Sequence, residues 1–549
     1  MKKPRTFSLL LILAAVATIP AHQSCKKDDP VNPPVYLSVD LPGLSLQDSS
    51  YYLLDFADRI VELEFTEPLD TATIRGNITF SDKAGIPDSA YTFIGLDRKI
   101  LLTFDPELVL KPGWRYLVTI GTGLRSVTGK TFSAPKILDL RTGTRDLALA
   151  GGPLQRDVIL CISDLHLGED RAIAGNYCWF GDNQAALLDL LDYVLTGGDV
   201  RELVILGDLF DGWIIPYRVS PFNTAAGVHN ISEYFDSVAN SQVNRPITEK
   251  LRAIASGGVI RLVYVPGNHD MLLTREVLEQ IIPGIVWQGN IPGLGNYSPV
   301  DEIIMEHGHR MDFFNGPQPL VSSGHMLPPG FFISRLQAEG QHENPAVSLK
   351  QDYAGNGSFE FRLAWEVAII AIIVTYPMIV HPDSVNIVMG GIDGYTNPFS
   401  FNGAREMYAV SIEDLWPQTQ ALNQVPVSLP VLMAILDGTS DMFIAASVEY
   451  LSAASPKKYK MAVFGHTHNA ELKVYSSGSH KAIYANSGTW WNEKLDTKKK
   501  TRTYLAIRPG QWTGSDLDVV TLYQYNPGPG TPTDYVHTKL DEKSVCIAD

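Results

Sequence analysis

Five short blocks recur along this chain, each placed where an apolar run stops. They are Asp164-Leu165-His166, GDLFD from Gly207 to Asp211, GNHD from Gly267 to Asp270, EHGH from Glu306 to His309, and GHTH from Gly465 to His468. Carboxylates, imidazoles and a carboxamide are the hard and borderline donors that hold divalent metals. Donors drawn from five separated strand ends must be brought to one side of a sheet, and the open α/β architecture does this by placing ligands at the carboxyl ends of its strands.

The apolar runs support that reading. Val158 to Ile162, Leu203 to Leu206, Leu262 to Val265, Glu302 to Met305, Met461 to Phe464 and Ala482 to Ala485 are predicted strands, with amphipathic helices at Asn183 to Leu195 and Ile247 to Ala255. Closing strands are expected at 503–507 and 518–524, and Asn486 to Trp490 reads as a tight turn behind the histidines. Alternation of strand and helix defines an α/β domain, assigned to residues 156–525, with residues 526–549 left as a C-terminal tail. His307 and His466 stand 159 positions apart, against 39 to 60 between the other neighbouring blocks. The interval therefore holds a cap insertion, about residues 316–458, over the ligand end of the sheet. Within it Ala364 to Val380 is apolar but interrupted by Glu366 and Pro377, which favours a buried cap helix over a membrane span.

Upstream the grammar differs. Val61-Glu62-Leu63-Glu64-Phe65, Lys99 to Phe104 and Tyr116 to Ile120 alternate with period two between turn signals such as Pro112-Gly113, the pattern of an all-β sandwich over residues 36–145. A spacer is its plainest role. Residues 1–24 carry Lys2, Lys3 and Arg5 before a short apolar stretch, as an export signal does. Residues 25–35, charged and Pro-rich, are a tether.

Of four cysteines, Cys25 opens the tether, and the odd remainder of Cys161, Cys178 and Cys546 predicts at least one free thiol or an intermolecular bond. The formal charge is −16, and −19 once the three leader cations are subtracted. That balance speaks against a nucleic-acid partner. It leaves an anionic substrate open, because bound metal supplies local positive charge.

Taken together, the blocks resemble the calcineurin-like metallophosphoesterases, whose series D-x-H, GD-x-x-D, GNH[DE], H and GH-x-H appears here complete and in order. The upstream segment, from "VELEFTEPLD" to "GLRSVTGKTF", resembles a bacterial Ig-like domain, and Ser24-Cys25-Lys26-Lys27 resembles a lipoprotein box with Cys25 as the lipid attachment site. The resemblance implies a β-sandwich flanked by helices and two divalent or trivalent transition metal ions, Mn, Fe or Zn. Asp164, His166, Asp208 and His468 would hold one ion; Asp208 would bridge to a second, held also by Asn268, His307 and His466. His269 would be the general acid, Asp270 would orient its ring, and Asp211 and His309 would stand behind the ligands. His307 and His309 compete for one place, and His307 is chosen as nearer the strand end; His309 would otherwise reach phosphate. Arg310 and Asp312 are candidates for shaping a substrate pocket.

The implied function is phosphoester hydrolysis by an exported lipoprotein of a Gram-negative bacterium, at the outer membrane, the cell surface or in the periplasm. GDLFDGW with EHGH and a long insertion is most similar to the branch that contains UDP-diacylglucosamine pyrophosphohydrolases, which suggests an amphiphilic, lipid-linked substrate. Two other readings compete: a surface binding lipoprotein with an inert metal domain, and an extracytoplasmic nucleotidase.

Overall fold

The computed structural model describes residues 39–40, 46–47, 51–55, 60–147, 155–321, 326–343, 386–392, 395, 398–425, 429–431, 434, 442–455, 459–492, 499–528 and 535–547. The segments read as an export signal and as a tether with Cys25, and the expected helix at Ala364 to Val380, lie outside these residues.

Among the described residues every strand and helix expected from the apolar runs forms, with ends shifted by a few residues. Two sheets make the larger domain. The first runs in the order 286–287, 261–265, 200–206, 158–162, 503–508, 517–527, 535–546. Its first four strands are parallel and the rest antiparallel. The second sheet sets 303–306, 461–464 and 480–486 parallel at its centre.

Alternation within each strand explains why the sheets stack. Ile159 and Cys161 point to one face and meet Val204, Val263, Met305, Val463 and Ile483 in a core between the sheets. Val158, Leu160 and Ile162 point to the other and pack with Leu187, Leu190, Leu191, Ile247 and Leu251 of the helices Gln184–Thr196 and Arg245–Ser256. A strand buried on both faces reads as a continuous apolar run, which is why VILCI shows no polar alternation. Beyond the second sheet, Ile304, Ala462, Phe464 and Tyr484 are covered by Met442, Ala446, Tyr450 and Leu451. Each fully buried Leu, Ile, Val or Phe side chain among these contributes roughly 1.5–3 kcal/mol.

The C-terminal tail is a correction. Tyr535–Cys546 pairs antiparallel along the length of Leu517–Pro527, so the domain continues to the end of the described chain. The strand escaped notice because it is the sheet's edge and carries Lys539, Asp541, Glu542 and Lys543, the charges that keep an edge from pairing further.

The upstream sandwich has sheets of four and five strands around Leu63, Phe65, Phe80, Ile100, Leu102, Tyr116 and Val118. It is fixed to the larger domain at that same edge. Arg141 donates to the Ser544 carbonyl at 2.7 Å, and Thr144 N–H to Glu542 at 3.2 Å. In the insertion, helices Pro329–Glu343 and Phe401–Leu422 bring Phe331, Phe332 and Tyr408 against Trp213 and Met271. Among the described residues no helix is long and apolar enough to cross a membrane. Cys161, Cys178 and Cys546 are all free thiols.

Candidate metal centre

All five blocks lie just beyond a strand end, on the same side of the sheets. Five of the donors, Asp164, His166, Asp208, His466 and His468, have φ between 51° and 65°. The left-handed region is sparsely used by residues other than glycine, Asn and Asp, and such strain collects at functional sites. Two glycines make room for this packing. A Cβ on Gly267 would fall 2.2 Å from the Asp208 nitrogen, and one on Gly207 would fall 2.4 Å from His307 Nδ1.

Donor atoms converge in two groups. His166 Nε2 and His468 Nε2 are 3.1 Å apart, and His468 Nε2 is 3.0 Å from Asp164 Oδ1. Asp208 Oδ2 lies 3.7 Å from His166 Nε2 and 3.3 Å from His307 Nε2. Asn268 Oδ1 lies 3.0 Å from His307 Nε2 and 3.1 Å from His466 Nδ1. Ligand atoms about 2.1 Å from one ion sit roughly 3 Å from each other, so these spacings suit metal ligation. Asp164 Oδ1 is buried without a hydrogen bond, an arrangement a cation would relieve. The oxygen and imidazole donors fit transition metal ions, and Asp208 is the residue whose oxygen faces both groups.

Backing contacts fix the rings. His307 Nδ1 donates to the Leu206 carbonyl at 2.7 Å, which leaves Nε2 with its lone pair directed inward. His166 Nδ1 and His269 Nδ1 face the two oxygens of Asp211 at 3.4 and 3.1 Å. Asp211 Oδ1 also accepts from the N–H groups of Trp213 and Ile214, at 2.9 and 2.8 Å. Trp213 stacks on His269 with 4.7 Å between ring centroids.

Asp270 is a correction. Its carboxylate accepts from Leu209 N–H at 2.8 Å, Phe210 N–H at 3.3 Å and Gly267 N–H at 3.0 Å, joining two ligand loops through their backbones. It does not orient His269; Asp211 touches that ring instead. His309 is turned away, donating from Nε2 to the Gly293 carbonyl at 2.8 Å while buried, and is not placed to meet a phosphate. Arg310 is also structural: it binds Glu306 at 2.8 Å, Glu449 and the Tyr450 hydroxyl in a buried network.

Asp312, read as a pocket residue, instead holds His466. Its Oδ2 faces His466 Nε2 at 3.1 Å and accepts from Asn315, whose Oδ1 takes an N–H from Asn268 at 3.3 Å. The residues missed entirely are Asn315, Trp213 and Ser163, whose hydroxyl meets Ser487 at 2.7 Å. None belongs to a spaced donor pattern.

Electrostatics divide the histidines. Burial pushes His468 down to about 3 despite Asp164, and pushes His309 well below the ordinary imidazole value with help from neighbouring imidazoles. Burial would lower His307 too, but Asp208 and Asp164 outweigh it and lift the ring to about 10. His269 is likewise raised against burial by Asp211 and Asp208. Burial raises Asp164, yet His468 and His307 hold it down at about 2. Asp270 rises to about 6 through burial and the charge on Asp208.

Comparison with known proteins agrees with this site. Residues 158–346 match the family model described as calcineurin-like phosphoesterase, and residues 55–140 match that of the bacterial Ig-like domain. The chain thus carries a calcineurin-like phosphoesterase domain after a bacterial Ig-like domain. No curated protein matches it. Similar solved structures include CopC from Methylosinus trichosporium OB3b, at 17% identity over 20% of this chain and 97% of that one, with a TM-score of 0.15. Native alpha-2-macroglobulin of E. coli is 24% identical over 24% of this chain and 7% of that one, TM-score 0.15. The chitinase ChiW of Paenibacillus sp. str. FPU-7 is 9% identical over 48% and 22%, TM-score 0.18. The chain thus spans far less than two thirds of the last two, and at these TM-scores none of the likenesses bears on function.

Proposed function

We propose that this protein is an exported phosphoester hydrolase working with two transition metal ions, anchored through Cys25 and acting on an amphiphilic phosphoester. The observation that carries the reading is Asp208 Oδ2, set between two groups of buried imidazole and oxygen donors. One ion would be held by Asp164, His166, Asp208 and His468, and the other by Asp208, Asn268, His307 and His466. When bound, such a pair neutralises phosphate charge and supplies a deprotonated water at neutral pH.

The chain's own groups do the rest. Asp211 accepts the Nδ1 proton of His269, so Nε2 is the atom that presents a proton to the leaving oxygen. Asp211 and Asp208 raise His269 against its burial, which favours the protonated ring. Trp213, stacked on the ring, excludes water from one side. The apolar cap around Phe331, Phe332 and Tyr408 supports the amphiphilic substrate. The leader and Cys25 support export and anchoring.

The test is hydrolysis by the purified chain of a panel of monoesters, diesters, nucleotides and lipid pyrophosphates with Mn²⁺. Lipid-linked substrates are expected to be preferred and Asp208→Asn to abolish turnover. His269→Ala should slow poor leaving groups far more than good ones. Full activity in Asp208→Asn would overturn the two-metal reading, and preference for nucleotides would overturn the substrate.

A further inference from the structure

Where the Ig-like domain meets the phosphoesterase domain there is a cavity of about 160 Å³, lined by residues of both. The Ig-like side supplies Lys111, Trp114 and, at the domain's exit, Arg145; the other side supplies Asp157 and Arg508. Arg508 is 6% exposed, yet Nε, Nη1 and Nη2 all lack a hydrogen bond. Its nearest carboxylate, Asp157, lies 3.5 Å from Nε. Arg145 Nε is unpartnered in the same way, and its Nη2 reaches Asp157 and Asp199 only at 3.4 and 3.5 Å. The Lys111 ammonium lies over the Trp114 ring, 4.2 Å from its centroid.

A buried guanidinium without hydrogen bonds is costly, since its donors have left water and found nothing. Its planar fork matches two oxygens of one anionic group. Three cations line the cavity and one carboxylate does; Asp199, outside the lining, adds a second. At roughly 30 Å³ per water the space holds about five waters, enough for an oxyanion and too little for a nucleotide.

We propose that this cavity binds a small oxyanion, an inorganic phosphate or a carboxylate, gripped by the Arg508 fork and closed by Arg145 and Lys111. The occupant joins the two domains, because the cations on it come from both. The site is separate from the metal centre and does not depend on the proposed reaction.

Isothermal titration of the full chain, stripped with EDTA so that the metal centre is silent, tests it with phosphate, sulfate and acetate at constant ionic strength. Saturable one-to-one binding of at least one anion is expected. Losing a charge-assisted pair should weaken it about tenfold or more in Arg508→Gln. Arg145→Gln, at a half-exposed position that keeps the fold, should weaken it several-fold, and Asp208→Asn should leave it unchanged. Preference for phosphate and sulfate identifies a tetrahedral anion, preference for acetate a carboxylate. Absence of saturable binding at millimolar anion, or equal affinity in the wild type and both arginine variants, would overturn the proposal.

Discussion

Two aspartates sit near the same histidine and do different work. Asp211 meets His269 Nδ1 and His166 Nδ1, whereas Asp270 accepts from backbone N–H groups of the adjoining loops. Asp211→Asn should therefore lower turnover on poor leaving groups by about tenfold or more while KM changes little, the scale of a misplaced general acid. Asp270→Asn should instead lower the thermal midpoint, as loss of a buried acceptor shared by three N–H groups does. Steady-state kinetics with melting curves separates the two, and reversed effects would refute the division. The left-handed backbone gives another expectation. With metal removed by EDTA, Asp208→Asn should melt lower than the wild type: Asn tolerates the left-handed backbone there, but it leaves the buried rings of His307 and His166 without the carboxylate they face. The stabilisation on adding Mn²⁺ should vanish in that variant. The candidate donors were readable from spacing, because ligands need fixed chemistry at strand ends, and the fold brings them together. The support was not: Asp211 and Asp270 are both acids in the motif, and only direction in space tells them apart.

Among the elements, the buried strands were legible as apolar runs and the edge strand Tyr535–Cys546 was not, because an edge trades apolar alternation for charge. That strand brings His537 into contact with Tyr504 and within 4.6 and 5.0 Å, centroid to centroid, of Tyr193 and Tyr525. Burial pushes His537 down to about 4, against the pull of Asp189 and Asp199. A histidine depressed in the fold and ordinary when unfolded stabilises above the ordinary value near 6.5; that contribution is lost as pH falls toward 4. Denaturant midpoints measured between those limits should fall in the wild type and fall less in His537→Gln; parallel curves would exclude the histidine. The insertion was legible only by its length.

For the whole molecule, the two domains share one seam. Arg141 and Thr144 reach Ser544 and Glu542, the Ser515 hydroxyl donates to the Gly113 carbonyl at 2.8 Å, and Lys83 pairs with Asp516 at 2.8 Å. The intact protein should unfold in one calorimetric transition, and Arg141→Ala with Glu542→Ala should split it in two; a single unshifted transition in the double variant would show the seam to be weak. No sequence pattern exposes such a seam, because its partners are ordinary polar residues that gain meaning only on contact.

The seam also imposes an order in time. Arg141 and its acceptor Ser544 are 403 residues apart, so the ribosome completes the sandwich long before its landing surface exists. The docking surface is complete only once the strand Tyr535–Cys546 is made. A chain stopped just before residue 535 keeps every donor of the metal centre, and its sandwich should swing free and be clipped by protease at the junction.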